Sequence, residues 1–191
     1  MARILMLTGD AGEAQEIYYA KYRLEEEGWT VHIAPPAKAR SAEPLVFLSV
    51  VHDFEPGFDT YTEKAGYRVQ GDLALEDVDP AAYDGLVLPG GRAPEYLRNN
   101  PKAVAAVRHF VEAGKPIAAN CHGPLLVIAA GGAGGKAMTC FPDLAPDVRA
   151  AGGEFVNRDV VVAGNLVTVR GWPDNGPWMR EFVRLLRARV G

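Results

Sequence analysis

Residues Lys115 to Pro124, followed at once by the apolar run Leu125-Leu126-Val127-Ile128-Ala129-Ala130, restrict the possible folds more than any other stretch. Ile117–Ala119 predicts a short buried strand and Leu125–Ala130 a helix, with almost no loop between them. A strand that runs straight into a helix belongs to α/β structure. The tight turn leaves one residue, Cys121, strained at the strand's end and aimed at the helix N-terminus, the geometry of a nucleophile elbow with Cys at its centre. Gly123 lets neighbouring backbone come close, and Pro124 suits a first helical turn, where its missing N–H costs nothing. The helix N-terminus predicts an acidified, reactive thiol. First-turn N–H groups, starting with that of His122, are placed to hold an oxyanion. A lone Cys is otherwise an inert core residue; the strand–Cys–His–Gly–Pro–helix setting argues for reactivity. His122 follows Cys121 directly, so its ring need not face the sulfur.

The rest of the chain repeats the strand–helix alternation. Arg3–Leu7 is a buried strand, Glu13–Glu27 a helix with Ile17, Ala20 and Leu24 on one face and Gly28 as its stop, and Trp29–Ala34 the next strand. Short links make this a βαβ unit, so the sheet is expected to be parallel. Leu45–Val51 is apolar and flanked by loop residues, which fits an added strand or an interface segment. Thr60–Gly71 fits a hairpin or loop, and Leu73–Tyr83 a connection with a turn at Asp79-Pro80. Gly85–Leu88 is a further strand ending in Pro89-Gly90-Gly91; Arg92–Arg98 and Lys102–Ala113 are helical. Gly131–Gly135 is a turn and not a phosphate loop, because Ala130 and Ala137 replace its defining residues and a helix precedes it. Ala137–Thr139 is a short strand and Leu144–Ala151 a helix. Val160–Val162 and Leu166–Val169 form a hairpin, and Asn175–Val190 closes the chain as an amphipathic helix.

With 191 residues the expectation is one domain, residues 1–191, carrying an insert at about 36–66. A formal net charge of -4 gives a nucleic-acid role no electrostatic support. No apolar run approaches the ~20 residues of a membrane span, so no membrane partner is expected either. Two Cys and no targeting segment point to the reducing cytoplasm, where a Cys121–Cys140 disulfide is not expected. No Cys/His cluster has zinc spacing, and no cofactor loop is present, so neither metal nor cofactor is expected.

Open α/β sheets bind ligands at the carboxyl ends of their strands, where Thr8–Glu16, Pro89–Glu95 and Asn120–Pro124 should converge. Glu13 and Glu16 stand three apart in the first turn of the first helix, near one face. A carboxyl beside a thiolate stays protonated, because like charges repel in a dry site, and it can then move protons. Acidic residues also favour helix N-termini without any such role. Gly90 and Gly91 follow a strand without a Cβ, so the Gly91 N–H is a candidate second oxyanion donor, or part of an ordinary turn.

Leu88-Pro89-Gly90-Gly91-Arg92-Ala93-Pro94-Glu95, Lys115-Pro116 with Cys121-His122-Gly123-Pro124, and Trp178-Met179-Arg180-Glu181-Phe182 resemble the ThiJ/PfpI superfamily over nearly the whole chain. His52-Asp53-Phe54-Glu55 and Thr60-Tyr61-Thr62-Glu63-Lys64 are similar to the insert of the plant glyoxalase III-like branch, the branch to which the chain looks closest. The resemblance implies a flavodoxin-like three-layer sandwich with a mostly parallel sheet, like that of class I glutamine amidotransferases. It implies Cys121 as nucleophile and Glu16 as its carboxyl partner. Glu16 is preferred to Glu13 because the family's Glu lies four residues before a helix proline, here Ala20. In PfpI-type peptidases the Glu matching Glu95 reaches the His matching His122 across an oligomer interface, which implies a homo-oligomer (dimer, trimer or hexamer). Phe141 replaces a Tyr of peptidase-like members at the site rim, and Asn120 replaces a usual apolar residue. The amidotransferases' C-terminal His is missing, since the histidines are His32, His52, His109 and His122.

The function expected from these features is a cofactor-independent glyoxalase III or deglycase type of enzyme acting on small 2-oxoaldehydes such as methylglyoxal. Cys121 would attack, the N–H groups of Gly91 and His122 would hold the oxyanion, and Glu16 would shuttle the proton. One alternative is a cysteine peptidase or other hydrolase using Cys121, His122 and Glu95; another is a redox-responsive stress protein in which Cys121 is oxidised.

Overall fold

The computed structural model describes residues 1–190. The chain begins β1 (Arg3–Leu7), α1 (Ala14–Glu25), β2 (Thr30–Ala34), then a strand pair β3 (Val46–Asp53) and β4 (Thr62–Gln70). After two short 3-10 turns come β5 (Gly85–Leu88), α2 (Ala93–Leu97), α3 (Pro101–Glu112), β6 (Ile117–Asn120) and α4 (Pro124–Ala129). It ends with β7 (Ala137–Met138), α5 (Ala145–Ala150), β8 (Glu154–Phe155), β9 (Val160–Ala163), β10 (Leu166–Val169) and α6 (Asn175–Val190).

Six strands form one sheet in the order β2-β1-β5-β6-β10-β9, parallel throughout except for β9, which runs antiparallel to β10 at the edge. Side chains alternate between its two faces. Ile4 and Met6 of β1 pack with Ile17 and Leu24 of α1 and with Trp178 and Phe182 of α6. Leu5 and Leu7 pack on the other side with Val107 and Phe110 of α3 and Leu126 and Val127 of α4. Both faces are buried, which is why the strands read as unbroken apolar runs. The result is the expected flavodoxin-like α/β/α sandwich. Because β1 pairs with β2 on one side and β5 on the other, connections leave it in opposite directions. The crevice this opens at the carboxyl ends of β1 and β5 is the standard ligand position of such sheets.

The main departure from the sequence expectation is the insert. Leu45–Val51 and Thr60–Gly71 are the two arms of an antiparallel ribbon, and its second arm extends beyond residue 66 to Gln70. Phe47 and Val69 of the ribbon join the α1/α6 face of the core. The backbone ties the ribbon to the loop after β1: Ala11 N–H donates to Leu48 O at 2.7 Å, and Val50 N–H to Gly12 O at 2.9 Å. Helix α1 starts at Ala14, so Glu13 is its N-cap and not a first-turn residue. Other ends move by a residue or two, as helix termini commonly do. Among the described residues no helix is long and apolar enough to cross a membrane.

Candidate active site

The three expected loops meet. Glu13 N–H donates to Gly90 O at 3.2 Å and Arg92 N–H to Ala11 O at 2.8 Å, which joins the ends of β1 and β5. Cys121 holds the end of β6: its N–H donates to Val169 O at 3.2 Å, and its carbonyl accepts from Phe141 N–H at 3.0 Å. Its φ is 53°, one of only two positive values outside glycine among the described residues. That conformation costs about 1–2 kcal/mol, a strain the surrounding bonds hold in place. The elbow depends on contacts no side chain could share. A Cβ on Gly123 would lie 2.1 Å from Leu88 O, and one on Gly90 would lie 2.5 Å from the Cys121 Cβ.

Cys121 is 4% exposed. The backbone N–H groups of Gly91 and His122, anticipated as oxyanion donors, lie near enough to the sulfur in the resting protein to favour its thiolate. The thiol is not acidified as expected. Burial first, then the Glu16 carboxylate, push its pKa well above the ordinary value, and the N–H groups of Gly91 and His122 offset only part of this. For a sulfur sealed this deeply, desolvation outweighs the pull of the helix N-terminus.

Glu16 is completely buried. Gly90 N–H donates to its Oε2 at 2.5 Å, and Oε1 has no partner. Burial first, then the charge of Glu13, hold its pKa well above the ordinary carboxylate value, so it keeps its proton more tightly than an exposed carboxyl does. Glu13 caps α1, its Oε2 accepting from Glu16 N–H at 2.8 Å while its Oε1 has no partner; burial raises it to about 7 despite that bond. Both carboxyls therefore lie at the site, and Glu16 exerts the larger field on the sulfur.

The His122 ring does face the sulfur, with Nδ1 at 3.2 Å. Burial, with nearby His52 adding to it, lowers its pKa to about 4, so the imidazole is neutral at pH 7. Its Nε2 stands 3.8 Å from Glu95 Oε1 of the same chain, so the approach expected across an oligomer interface already occurs within one molecule. Phe141 stacks on His122 with ring centroids 5.5 Å apart, and Tyr61 meets the same ring edge-on at 5.9 Å.

Several surrounding residues had no role assigned to them from the sequence. Tyr61 comes from the ribbon and stacks on His52 at 4.1 Å. His52 Nε2 donates to Glu63 Oε2 at 2.9 Å, and Glu63 takes both Nε and an Nη of Arg92 at 2.7 and 2.8 Å. Arg92, aided by His52, holds the Glu63 carboxyl down to about 2. This clasp pins the ribbon beside the Gly90-Gly91 turn. Trp172 Nε1 donates to His52 O at 2.8 Å and fastens the ribbon from the other side. Asn120 Nδ2 donates to Asn175 Oδ1 at 2.8 Å, which couples β6 to the start of α6. The quoted insert motif held His52, Tyr61 and Glu63 in plain view, but nothing local pairs Glu63 with Arg92, and Trp172 and Asn175 carried no signal at all.

A strained cysteine between a parallel β-strand and a helix, backed by a buried carboxyl and a neutral histidine in a flavodoxin-like sandwich, defines a class of cysteine-centred α/β proteins. The DJ-1/PfpI family model matches residues 2–185, and the chain belongs to that family. It is 42% identical over 185 residues to a deglycase of Thermococcus kodakarensis, covering 97% of this chain and 99% of that protein. It is 37% identical over 192 residues to DJ-1 homolog D of Arabidopsis thaliana, covering 98% of this chain and 48% of that one. Similarity to the archaeal protein thus exceeds that to this plant protein, the ribbon motif notwithstanding. Among solved structures, Drosophila melanogaster DJ-1beta superposes with a TM-score of 0.78 at 23% identity, covering 97% of this chain and 90% of that one, a likeness of fold.

Proposed function

We propose that this protein is a cofactor-independent enzyme that converts small 2-oxoaldehydes, free or as amine adducts, to 2-hydroxy acids, methylglyoxal giving lactate. The observation that carries this reading is the contact of His122 Nδ1 with the Cys121 sulfur at 3.2 Å, with the buried Glu16 carboxyl at the same site. The archaeal relative's name, deglycase, agrees with it.

The resting site is neutral: thiol, carboxylic acid and imidazole. The sulfur adds to the aldehyde carbon, C1, as its proton passes to His122 Nδ1, and Glu16 protonates the new alkoxide to give a hemithioacetal. Glu16, now a carboxylate, removes the C1 hydrogen. A carboxylate held in so dry a site is a stronger base than one in water. Electrons move onto the C2 carbonyl, and the imidazolium protonates its oxygen. Glu16 returns a proton to C2 and takes the proton of the C1 hydroxyl in its place, leaving a thioester of the hydroxy acid and Glu16 again as the acid. Water then splits the C1–S bond, its hydroxyl going to C1 and its hydrogen to sulfur. C1 is oxidised and C2 reduced within one molecule, so no external oxidant is needed. With an amine adduct, the sulfur displaces the amine at C1, the thiol proton leaves on nitrogen, and the same hemithioacetal forms.

The test is lactate formation from methylglyoxal without glutathione or added metal. Cys121→Ala should reduce it to the uncatalysed rate; lactate at the wild-type rate would overturn the mechanism. A second reading, cysteine peptidase, draws on Glu95 standing 3.8 Å behind His122 Nε2. It requires Glu95→Gln to abolish cleavage of a peptide substrate, and unchanged cleavage would dismiss it.

A further inference from the structure

Asn120 has no part in the chemistry at the sulfur, yet it stands where a polar side chain is costly. It ends β6, one place before Cys121. Ala118, two places earlier on the strand, packs in the α1/α6 cluster, and Asn120 faces the same way. Its Nδ2 donates to Asn175 Oδ1 at 2.8 Å, and Asn175 Nδ2 donates to Gln15 O at 3.2 Å. Asn175 is the first residue of α6, and Gln15 precedes Glu16 in the first turn of α1. Two hydrogen bonds thus run from the residue before the nucleophile to the residue before the carboxyl. Asn120 is 0% exposed, and its Oδ1 has no partner among the described residues. A buried acceptor left unpaired gives up its hydration without return, a cost that leucine at the same place would avoid.

What the amide supplies in exchange is direction. Helix α1 rests on the core through Ile17, Ala20 and Leu24. Apolar contact is non-directional; it holds the helix down without fixing its first turn along the axis. A hydrogen bond is directional and restricts that freedom. Gly90 N–H holds the Glu16 carboxyl at its tip, and the bond from Asn175 holds the backbone beside it. We infer that Asn120 is a positioning residue for Glu16: through Asn175 it fixes the first turn of α1 against the end of β6, and so sets the reach of the carboxyl toward a carbon bound at the sulfur. The inference rests on the function proposed above and adds a residue to it. In that reaction Glu16 protonates the alkoxide at C1, removes the C1 hydrogen and delivers a proton to C2. A displacement of about 1 Å can slow such a transfer on the order of a hundredfold.

The experiment replaces the two bonds with hydrocarbon. Asn120→Leu alone strands Asn175 Oδ1, so Asn120→Leu combined with Asn175→Leu is made beside it; with both partners apolar, neither leaves the other unpaired. In lactate formation from methylglyoxal, both variants should lose about tenfold to a hundredfold in kcat, with KM changed less than about twofold. The urea midpoint of the double variant should equal or exceed that of the wild type. With methylglyoxal deuterated at C1, the isotope effect on kcat should rise above the wild-type value, because hydrogen transfer by a misplaced Glu16 then limits turnover more strongly. A double variant with kcat within about twofold of the wild type overturns the inference. So does an unchanged isotope effect, whatever the fall in kcat or in the urea midpoint, since the loss then lies in another step or in the fold. If the double variant fails to fold, the same readouts on Asn120→Leu decide. A wild type that forms no lactate removes the parent reading, and the inference with it.

Discussion

Glu13→Gln tests the electrostatics of the site through stability, independently of any substrate. The folded protein holds the Glu13 carboxyl at about 7 against an ordinary 4.5, chiefly because the group is buried. Folding therefore strengthens its hold on a proton. The folded state is not penalised below pH 4.5, and stability falls as pH rises from 4.5 to 7, with the penalty complete above that window. Moving a carboxyl from 4.5 to about 7 amounts to roughly 3 kcal/mol. Glutamine keeps the oxygen that accepts Glu16 N–H at 2.8 Å but never ionises. Its amide leaves a buried donor to satisfy, which costs about 1 kcal/mol or more at every pH. Glu13→Gln is therefore expected to be no more stable than the wild type at pH 4.5 and to gain roughly 3 kcal/mol relative to it by pH 8. Urea titrations of both proteins across this range, at fixed protein concentration, read the difference. His122 titrates in the opposite sense: lowered from 6.5 to about 4, it withdraws stability as pH falls through that window. It does so in both proteins, and the subtraction removes it. A wild-type-minus-variant difference that stays flat from pH 4.5 to 8 would refute the claim that Glu13 is ionised at a thermodynamic cost.

Gly123→Ala drives a Cβ to 2.1 Å from Leu88 O and 2.9 Å from Asn120 O, all rigid backbone; we expect a loss of about 3 kcal/mol or more in urea unfolding, and a loss below 1 kcal/mol would mean the elbow has slack. Glu63→Gln breaks the fork to Arg92 and weakens the bond from His52, so thermal unfolding should report about 1–2 kcal/mol of destabilisation at pH 7. Because Glu63 is lowered from 4.5 to about 2, the wild type keeps this support above 4.5 and loses it as pH falls toward 2; the gap between the two proteins should close over that interval.

Much of this molecule was legible in one dimension. Apolar runs of strand length, separated by stretches of helical periodicity, specify a parallel sheet buried on both faces, because no other packing hides such runs. The pairing of Ile117–Ala119 with an immediate Cys-His-Gly-Pro likewise leaves little freedom, since a turn that short admits one backbone path. Those are local constraints, carried by neighbours in the chain. The acidity of the thiol was not local. Adjacent N–H groups alone argue for lowering it, whereas the actual balance is set by how deeply the sulfur is enclosed and by Glu16, 105 residues away in sequence. The bond of Glu63 to Arg92, the bond of Trp172 to His52 and the tie of Asn120 to Asn175 have the same character. Each joins groups that only the folded chain brings within 3 Å. Secondary structure and the reactive turn follow from short-range sterics and apolar patterning; protonation states and the walls around the sulfur follow from burial and from charges between distant segments, which exist only once the sheet, its helices and the ribbon have closed on one another.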